Sequence, residues 1–372
     1  KNIEIIRNGT EYAHFHKAAV EHKNERKIIG YYGAVAEWFD YSKVIYVAQN
    51  MPDCDVVIIG RVTAGEKQLS KYNNIKLLGE IPYNELPKYL ECFDVCLIPF
   101  DTSTDLIKAT NPVKFYEYLS AGKKIVATDI PELEPFKDKY VYLSNDNHQF
   151  LEYIKICLEN KDCLANDTEK MAFALKNDWQ IRYENFYEVC RRAVPKVSII
   201  VLTYNNLEIN KICMNSILHN TAYANYELIV VDNCSTDGTT DYLRALERDD
   251  ARVKLILNKE NKGFAGGNNV GINASTGEYV LLLNNDTVVT RGWITAMAKH
   301  LENNSKLGMC GPVTNSIGNE AKIKVNYHSV KEMYSFAYRY TTDHLNSEYE
   351  NPNVLALFCT MRSEEHTSEL QS

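Results

Sequence analysis

A membrane-spanning segment is missing from this sequence, because no run of apolar residues approaches the roughly 20 that a helix needs to cross a bilayer. No secretory signal peptide is visible either. The chain begins at Lys1 rather than at a methionine, which leaves room for a lost upstream targeting segment. Together with the free thiols described below, these absences lead us to expect a cytoplasmic protein.

An excess of positive charge is also missing. The chain has 41 Lys and Arg residues against 49 Asp and Glu residues, a net charge of −8. This balance argues against nucleic acid as a partner. It leaves a nucleotide ligand possible, because a few local cations, backbone amides or a metal ion are enough to hold a diphosphate.

The ten cysteines show no disulfide framework or zinc-site spacing. Cys92 and Cys96 are four residues apart, but Cys96 lies in an apolar, strand-like run and no second pair is near. We therefore expect free thiols, mostly buried, in a reducing compartment.

Two globular domains are what the length and composition favour, since the chain has 372 residues, 45% of them hydrophobic and 24% charged. We place the first domain at residues 1–193 and the second at 196–361, with the boundary near Val194–Lys196. The last residues, 362–372, read RSEEHTSELQS and look like a translated sequencing adapter. We expect them to be an artefactual tail, the alternative being a genuine polar tail.

Short apolar segments alternate with amphipathic ones in both domains, which predicts an α/β fold with a Rossmann-like, doubly wound parallel sheet in each. The predicted strands are Lys27–Tyr32, Asp55–Ile59, Ile75–Leu78, Asp94–Pro99, Lys124–Thr128 and Tyr140–Leu143, then Val197–Leu202, Glu227–Val231, Val253–Leu257 and Tyr279–Leu283. The predicted helices between them include Tyr41–Gln49, Tyr83–Cys92, Pro112–Ala121, Ile209–Leu218, Thr239–Arg248, Gly267–Ala274 and Gly292–Leu301.

Four polar loops follow apolar strands in the second domain and are predicted to meet at one edge of its sheet, where ligands bind in such folds. They are Thr203–Asn206, Asp232–Thr239, Asn261–Asn269 and Asn284–Thr287. An aromatic ring such as Tyr204 can stack on a base. Asp232 and Asn233 can hydrogen-bond a base edge or a ribose; the alternative is that they are ordinary turn formers.

The glycines at 263, 266 and 267 let the backbone approach an anion closely, and their loop opens a helix whose N-terminal amides suit phosphate. Asp286 follows a wholly apolar strand. A carboxylate there suits one bond to Mg²⁺ or Mn²⁺, with substrate phosphates completing the coordination. A lone Asp after a strand is more often structural, so the prediction depends on the combination of loops.

The second domain resembles glycosyltransferase family 2, of GT-A fold and of the rhamnosyltransferase or O-antigen type, over about Pro195–Met361. The segments that carry the resemblance are VSIIVLTYNN, LIVVDNCSTDGT, NKGFAGGNNVGI and GEYVLLLNNDTVV. The family's Asp-x-Asp motif falls on Asn284-Asn285-Asp286, where only Asp286 keeps a carboxylate. The segment Gly311–Ser316 resembles one near the acceptor. The donor-binding residues predicted for this domain are Thr203, Tyr204, Asn205, Asp232, Asn233, Lys262, Gly263, Gly267, Asn268 and Asn285.

The resemblance also implies an acidic general base beyond a strand equivalent to Val354–Cys359. Glu364 and Glu365 stand there, but inside the predicted artefactual tail, and we set them aside. We therefore leave the catalytic base unassigned and expect this chain to bind donor without it.

In the first domain, the segment Asn111–Leu133 carries Lys114 and Glu117 three residues apart on a helix. Such a pair suits a diphosphate beside a ribose; the alternative is a surface ion pair. Gly33, after the first strand, allows close phosphate approach or is a plain turn glycine. We predict Lys114, Glu117 and Gly33 as donor-binding residues.

This domain resembles the C-terminal, nucleotide-binding half of GT-B glycosyltransferases of the family 4 type, from about Lys1 to Arg192. Glu117 matches the second glutamate of the family motif, whereas Ala109 replaces the first. The usual Arg and Lys pair is not evident in Gly33–Lys43. The opening IEIIRNGTEYAHF resembles the junction before this half, which implies an acceptor-binding half upstream.

The two resemblances imply a glycosyltransferase that moves a sugar from a nucleotide-diphosphate sugar to a glycan or lipid-linked acceptor in cell-surface polysaccharide synthesis. They also imply peripheral association with the inner face of the cytoplasmic membrane. A sugar-nucleotide-binding or scaffolding module without full catalysis is one alternative. A nucleotidyltransferase is another, although such enzymes carry a Gly-rich basic loop where this chain has Tyr204-Asn205-Asn206.

Overall fold

The computed structural model of the protein describes residues 3–19, 24–344, 347 and 355–363. The chain divides into two compact units, Lys1–Phe186 and Tyr187–Ser372. This division falls inside a helix, Trp179–Arg192, a few residues before the predicted linker at Val194–Lys196. Each unit contains one six-stranded sheet.

The sheet of the first unit is wholly parallel, with strand order β3-β2-β1-β4-β5-β6. The order reverses direction between β1 and β4, which is the place where open α/β sheets bind ligands. The predicted doubly wound sheet is thereby confirmed. Its strands are β1 Lys27–Tyr32, β2 Cys54–Ile59, β3 Ile75–Leu77, β4 Val95–Ile98, β5 Lys124–Ala127 and β6 Tyr142–Leu143.

Side-chain caps fix the beginnings of several helices in this unit. Asp40 accepts a hydrogen bond from the backbone N–H of Lys43, and Asn166 forms a reciprocal capping box with Glu169. The helices are α1 Tyr12–Phe15, α2 Tyr41–Asn50, α3 Glu66–Leu69, α4 Leu86–Glu91, α5 Asp105–Lys108, α6 Val113–Ser120, α7 Asn147–Leu158, α8 Asp167–Leu175 and α9 Trp179–Arg192, with 3₁₀ turns at His16–Ala18, Tyr83–Glu85 and Glu134–Phe136.

The sheet of the second unit is mixed, with order β11-β12-β10-β7-β8-β9. Strands β10, β7, β8 and β9 are parallel, as predicted, whereas β12 runs antiparallel to both β10 and β11. The order again reverses at a central pair, β7 and β10. The strands are β7 Val197–Thr203, β8 Tyr226–Asp232, β9 Val253–Leu257, β10 Tyr279–Asn284, β11 Met309–Cys310 and β12 Cys359–Ser363.

The strand expected at Val354–Cys359 is wrong in position. Residues 355–358 are not in a strand, Val354 lies outside the described residues, and the strand begins at Cys359. β12 includes Arg362 and Ser363, the first two residues of the predicted tail; Arg362 pairs with Val280 of β10. Glu364 and Glu365 lie outside the described residues.

The helices of the second unit begin earlier or end later than the apolar periodicity indicated. The largest difference is α12, which begins at Gly263 instead of Gly267, so the glycines lie within its first turns. α14 was not predicted and has no buried residue. The helices are α10 Leu207–Asn220, α11 Thr239–Asp249, α12 Gly263–Asn273, α13 Trp293–Asn303 and α14 Val330–Asp343.

All ten cysteines are free thiols, and five of them are buried. No helix in the described ranges combines the length and apolar character that crossing a bilayer requires.

Candidate functional site

The predicted loops of the second unit begin side by side because of the strand register. Thr203 at the end of β7 pairs with Asp232 at the end of β8, and Asn284 at the end of β10 pairs with Leu202. The carboxyl ends of three neighbouring parallel strands therefore open onto one edge of the sheet, at the point where the strand order reverses.

Two of these loops are hydrogen-bonded to each other around Asn205. Its backbone N–H donates to the Ser235 hydroxyl at 2.7 Å, and its side-chain oxygen accepts from the backbone N–H of Thr236 at 2.8 Å. Asn205 and Asn206 have φ angles of 54° and 63°, a left-handed conformation that Asn tolerates better than most residues. The Tyr204 ring next to these hydrogen-bonded loops is 49% exposed, which suits stacking on a base.

Asp232 is buried, and its carboxylate is fully engaged within the protein. One oxygen accepts from the hydroxyls of Thr203 at 3.0 Å and Ser235 at 2.5 Å. The other accepts from the backbone N–H of Ser235 at 3.0 Å and the Thr240 hydroxyl at 3.2 Å. An ionised carboxylate offers about four acceptor sites. These contacts make Asp232 the residue that holds the β7 and β8 loops together, and a direct donor contact by Asp232 stays a prediction.

Asn233 is also buried and holds the glycine-rich segment in place. Its amide nitrogen donates to the side chain of Asn261 at 2.9 Å and to the carbonyl of Gly263 at 3.0 Å. Its oxygen accepts from Asn258 at 2.9 Å and from the backbone N–H of Lys262 at 3.2 Å. The Lys262 side chain is exposed at the N-terminus of α12.

The glycines of this segment have different physical roles. Gly263 has a φ of +70°, and a Cβ there would meet nothing within 4 Å. Gly267 is buried, and a Cβ there would lie 2.3 Å from a terminal carbon of Leu202. Gly267 therefore allows α12 to pack closely on β7. Asn268 is buried and donates to the Phe264 carbonyl within the same helix at 2.9 Å.

Asn285 contacts a residue that the sequence did not indicate. Its amide nitrogen donates to the side-chain oxygen of Asn210 at 2.7 Å. Asn210 is fully buried on α10 and donates in turn to the Asn205 carbonyl at 2.7 Å and the Thr239 hydroxyl at 3.3 Å. The available signal was a polar residue on the apolar face of α10, together with Cys213.

Asp286 is exposed at the turn after β10, and its carboxylate has no hydrogen bond or ion pair within the described part of the chain. The described residues hold no group of three or more acidic, His or Cys side chains suited to a metal. One free carboxylate beside the unengaged oxygen of Asn285 is nevertheless the donor set expected of Mg²⁺ or Mn²⁺ that also binds substrate phosphates. The site therefore fits an ion held jointly with a diphosphate, rather than one held by protein alone.

A cleft of about 650 Å³ adjoins the segment Asn284-Asn285-Asp286, because Asn284 forms part of its lining. Its lining is largely apolar, and includes Phe264, whose ring is 55% exposed. The full lining is Phe264, Asn284, Ile317, Gly318, Asn319, Leu355, Ala356, Leu357 and Phe358. Ile317 directly follows the segment Gly311–Ser316, for which an acceptor role was expected.

The first unit brings Gly33, Lys114 and Glu117 together at the end of β1, beside the reversal of its strand order. Gly33 has a φ of +135°, and a Cβ there would lie 2.4 Å from the Cε of Lys114. The Lys114 ammonium lies 5.4 Å from the ring centre of Tyr31 and 5.8 Å from that of Phe100. Lys114 is thus placed between the ends of β1 and β4.

Glu117 is buried and accepts a hydrogen bond from the Tyr32 hydroxyl at 2.9 Å. Burial raises the pKa of Glu117, while the Tyr32 bond and Lys114 oppose that rise. Burial also lowers the pKa of Lys114, and Glu117 opposes that change. Among the described ion pairs none joins Lys114 to Glu117, so the alternative of a surface ion pair is wrong.

Other cations expected near a diphosphate are not supplied by the loop after β1. Lys43 is buried, and its ammonium donates to the Asn145 carbonyl and to the Asn147 side chain, both at 2.9 Å. Ala109 directly follows the short helix α5 and supplies no carboxylate. Lys114 and Glu117 are therefore the charged groups that the end of β1 offers from the predicted set.

Comparison with protein families gives one match in each unit. Residues 26–160 match the family described as glycosyl transferases group 1. Residues 198–370 match glycosyl transferase family 2. The two matches follow each other along the chain in the predicted order.

Curated relatives and solved structures match shorter stretches. An uncharacterized glycosyltransferase of Haemophilus influenzae is 34% identical over 117 residues, 32% of this chain and 36% of the relative. The UDP-Glc:alpha-D-GlcNAc-diphosphoundecaprenol beta-1,3-glucosyltransferase WfgD of Escherichia coli is 37% identical over 92 residues, 25% of this chain and 35% of the relative. The chain thus spans about a third of the length of these relatives. The mannosyltransferase PcManGT of Pyrobaculum calidifontis, solved with GDP-Man and Mn²⁺, is 20% identical with a TM-score of 0.36, covering 50% of this chain and 53% of that one.

Proposed function

We propose, from the tandem match to a group 1 and a family 2 glycosyltransferase domain, that this chain transfers a sugar from a nucleotide-diphosphate sugar to a glycan or lipid-linked acceptor. The observation that carries the proposal is the convergence of the Tyr204 loop and the free Asp286 carboxylate at the reversal point of the second sheet. We propose cell-surface polysaccharide as the product, and the inner face of the cytoplasmic membrane as the place of action.

We propose that the donor lies across the carboxyl ends of β7, β8 and β10. The half-exposed Tyr204 ring would stack on the base. The first-turn amides of α12 that follow Gly263, whose own N–H is held by the Asn261 side chain at 2.8 Å, would face phosphate oxygens. Asp286 and the Asn285 oxygen would hold Mg²⁺ or Mn²⁺ together with the diphosphate. The ion would supply Lewis-acid stabilisation of the charge on the departing nucleoside diphosphate.

We propose that the acceptor enters through the cleft beside Asn284. An exposed aromatic ring such as Phe264 presents an apolar face to the C–H side of a sugar, and the cleft adjoins the proposed metal site. The E. coli relative, whose name gives a diphosphoundecaprenol-linked acceptor, supports a lipid-linked class. We assign no general base in the described residues.

In the first unit we propose a second donor site, with Lys114 facing phosphate and Glu117 facing ribose hydroxyls. Glu117 is buried and position 109 is an alanine, and both observations favour a unit that binds nucleotide sugar without transferring it. The two proposed sites are therefore tested by separate substitutions in the full chain.

The test uses the full chain with a panel of UDP-, GDP- and dTDP-sugars, Mn²⁺ and undecaprenyl-diphosphate-linked sugar acceptors. Release of nucleoside diphosphate and formation of the glycoside are both measured. We expect Asp286→Asn to abolish release by the second unit, and Glu117→Gln to lower only any release by the first. Asp241→Asn, an exposed change on α11, is the matched control. Donor binding without release by the wild type would favour a binding module, which is what the sequence predicts for a chain that lacks its general base. Pyrophosphate release from nucleoside triphosphates would favour a nucleotidyltransferase.

A further inference from the structure

The helix α10 contacts the segment after β10 through a row of buried side chains. Asn210, Cys213 and Ser216 are three residues apart, and all are at most 5% exposed. Asn210 accepts from Asn285 at 2.7 Å, Cys213 approaches the Asn284 carbonyl with its sulfur at 3.7 Å, and the Ser216 hydroxyl accepts from the backbone N–H of Val289 at 3.1 Å. One face of α10 thus holds the whole turn that carries Asp286.

Asn210 differs from the other two side chains because it also reaches the opposite loop. Its amide nitrogen donates to the Asn205 carbonyl and to the Thr239 hydroxyl, while its oxygen accepts from Asn285. A single buried amide therefore joins the β7 loop, the first residue of α11 and the β10 turn. A buried amide whose hydrogen bonds are all formed has one orientation, because turning it over would leave donors facing donors.

We infer that Asn210 is a positioning residue for the metal-bound diphosphate. The bond from Asn210 orients the Asn285 amide, so that the Asn285 nitrogen faces the protein and the Asn285 oxygen is left for ligand. Asn210 also sets the separation between the Tyr204 loop and Asp286. This inference rests on the proposed function. It predicts that Asn210 controls how strongly a divalent ion assists nucleotide binding, with little influence on recognition of the base.

The test measures the dissociation constants of UDP and GDP by calorimetry, with and without MnCl₂, for the full chain. The ratio of the two constants is the metal enhancement. We expect Asn210→Ala to lower this enhancement by about tenfold, as losing a partner that orients a metal ligand typically does. The affinity for UMP and GMP without metal is expected to stay within about twofold of wild type, because the change lies away from the base. Asn215→Ala, an exposed change on the same helix, is expected to alter neither quantity.

Two further variants distinguish positioning from general loss of structure. In an Asn285→Ala background, Asn210→Ala is expected to cause little further loss of enhancement, because it acts through Asn285. Asn210→Leu keeps the approximate size but removes the acceptor for Asn285 together with both donated bonds, so it carries the test if the alanine variant does not fold. Wild-type enhancement in either folded Asn210 variant would overturn the inference. No enhancement in the wild type would instead overturn the proposed metal site, and this inference with it.

Discussion

Replacing Asp232 by alanine tests the conclusion that this carboxylate holds two loops together. The change removes the acceptor of four hydrogen bonds, from the hydroxyls of Thr203, Ser235 and Thr240 and from the backbone N–H of Ser235. Hydrogen bonds to charged groups contribute about 1.5–3 kcal/mol each. The three hydroxyls can rotate toward other acceptors, whereas the backbone N–H cannot, so we expect a total loss of about 3 kcal/mol.

For a unit of this size, 1 kcal/mol lowers the melting temperature by about 2–4 °C, so the second unit should melt about 6–12 °C lower. Differential scanning calorimetry of the full chain measures this. Asp232→Asn keeps one acceptor oxygen and should lose roughly half as much, and Asp241→Ala serves as the exposed control. A melting temperature of the Asp232→Ala variant equal to that of the control would refute the loop-holding role.

Three other predictions follow from single contacts. Gly267→Ala places a Cβ against Leu202 and should lower the free energy of unfolding in denaturant by about 1–3 kcal/mol. Gly266→Ala, whose Cβ meets only a side-chain carbon at 3.1 Å, should be neutral or stabilising. Equal effects of the two changes would contradict the packing argument. Tyr204→Ala should weaken UMP or GMP binding by about 1–3 kcal/mol in calorimetry, and unchanged affinity would exclude stacking. Burial raises the pKa of the Glu117 carboxyl in the folded state above its ordinary value of 4.5. The stability that the protonated Glu117 contributes is therefore fully present below pH 4.5, and it is lost as the pH rises through the raised pKa. Glu117→Gln should therefore gain in melting temperature relative to wild type between pH 4.5 and neutrality, and parallel pH curves would count against this.

The parallel strands were predictable because strands buried on both faces appear as continuous apolar runs. The same runs, with the rule that ligands lie beyond the carboxyl ends, were enough to bring Tyr204, Asp232 and Asp286 to one edge of a sheet. In the first unit, the residues predicted from the sequence, Gly33, Lys114 and Glu117, lie together at the end of β1.

Other features depend on contacts between distant segments and could not be obtained from local patterns. The direction of β12 is set by its pairing with β10, about 80 residues earlier. The start of α12 at Gly263 runs against the low helix propensity of glycine and is fixed by Asn233 from another loop. Asn210 lies on the buried face of α10, and the role that we infer for it depends on its hydrogen bonds to three other segments.

A crystal structure of the chain with Mn²⁺ and a nucleoside diphosphate, recorded with anomalous scattering, tests the central claim most directly. We predict a manganese peak bonded to the Asp286 carboxylate and to diphosphate oxygens, with the base against the Tyr204 ring. A manganese peak away from Asp286, or a nucleotide bound outside the edge formed by the ends of β7, β8 and β10, would contradict the account.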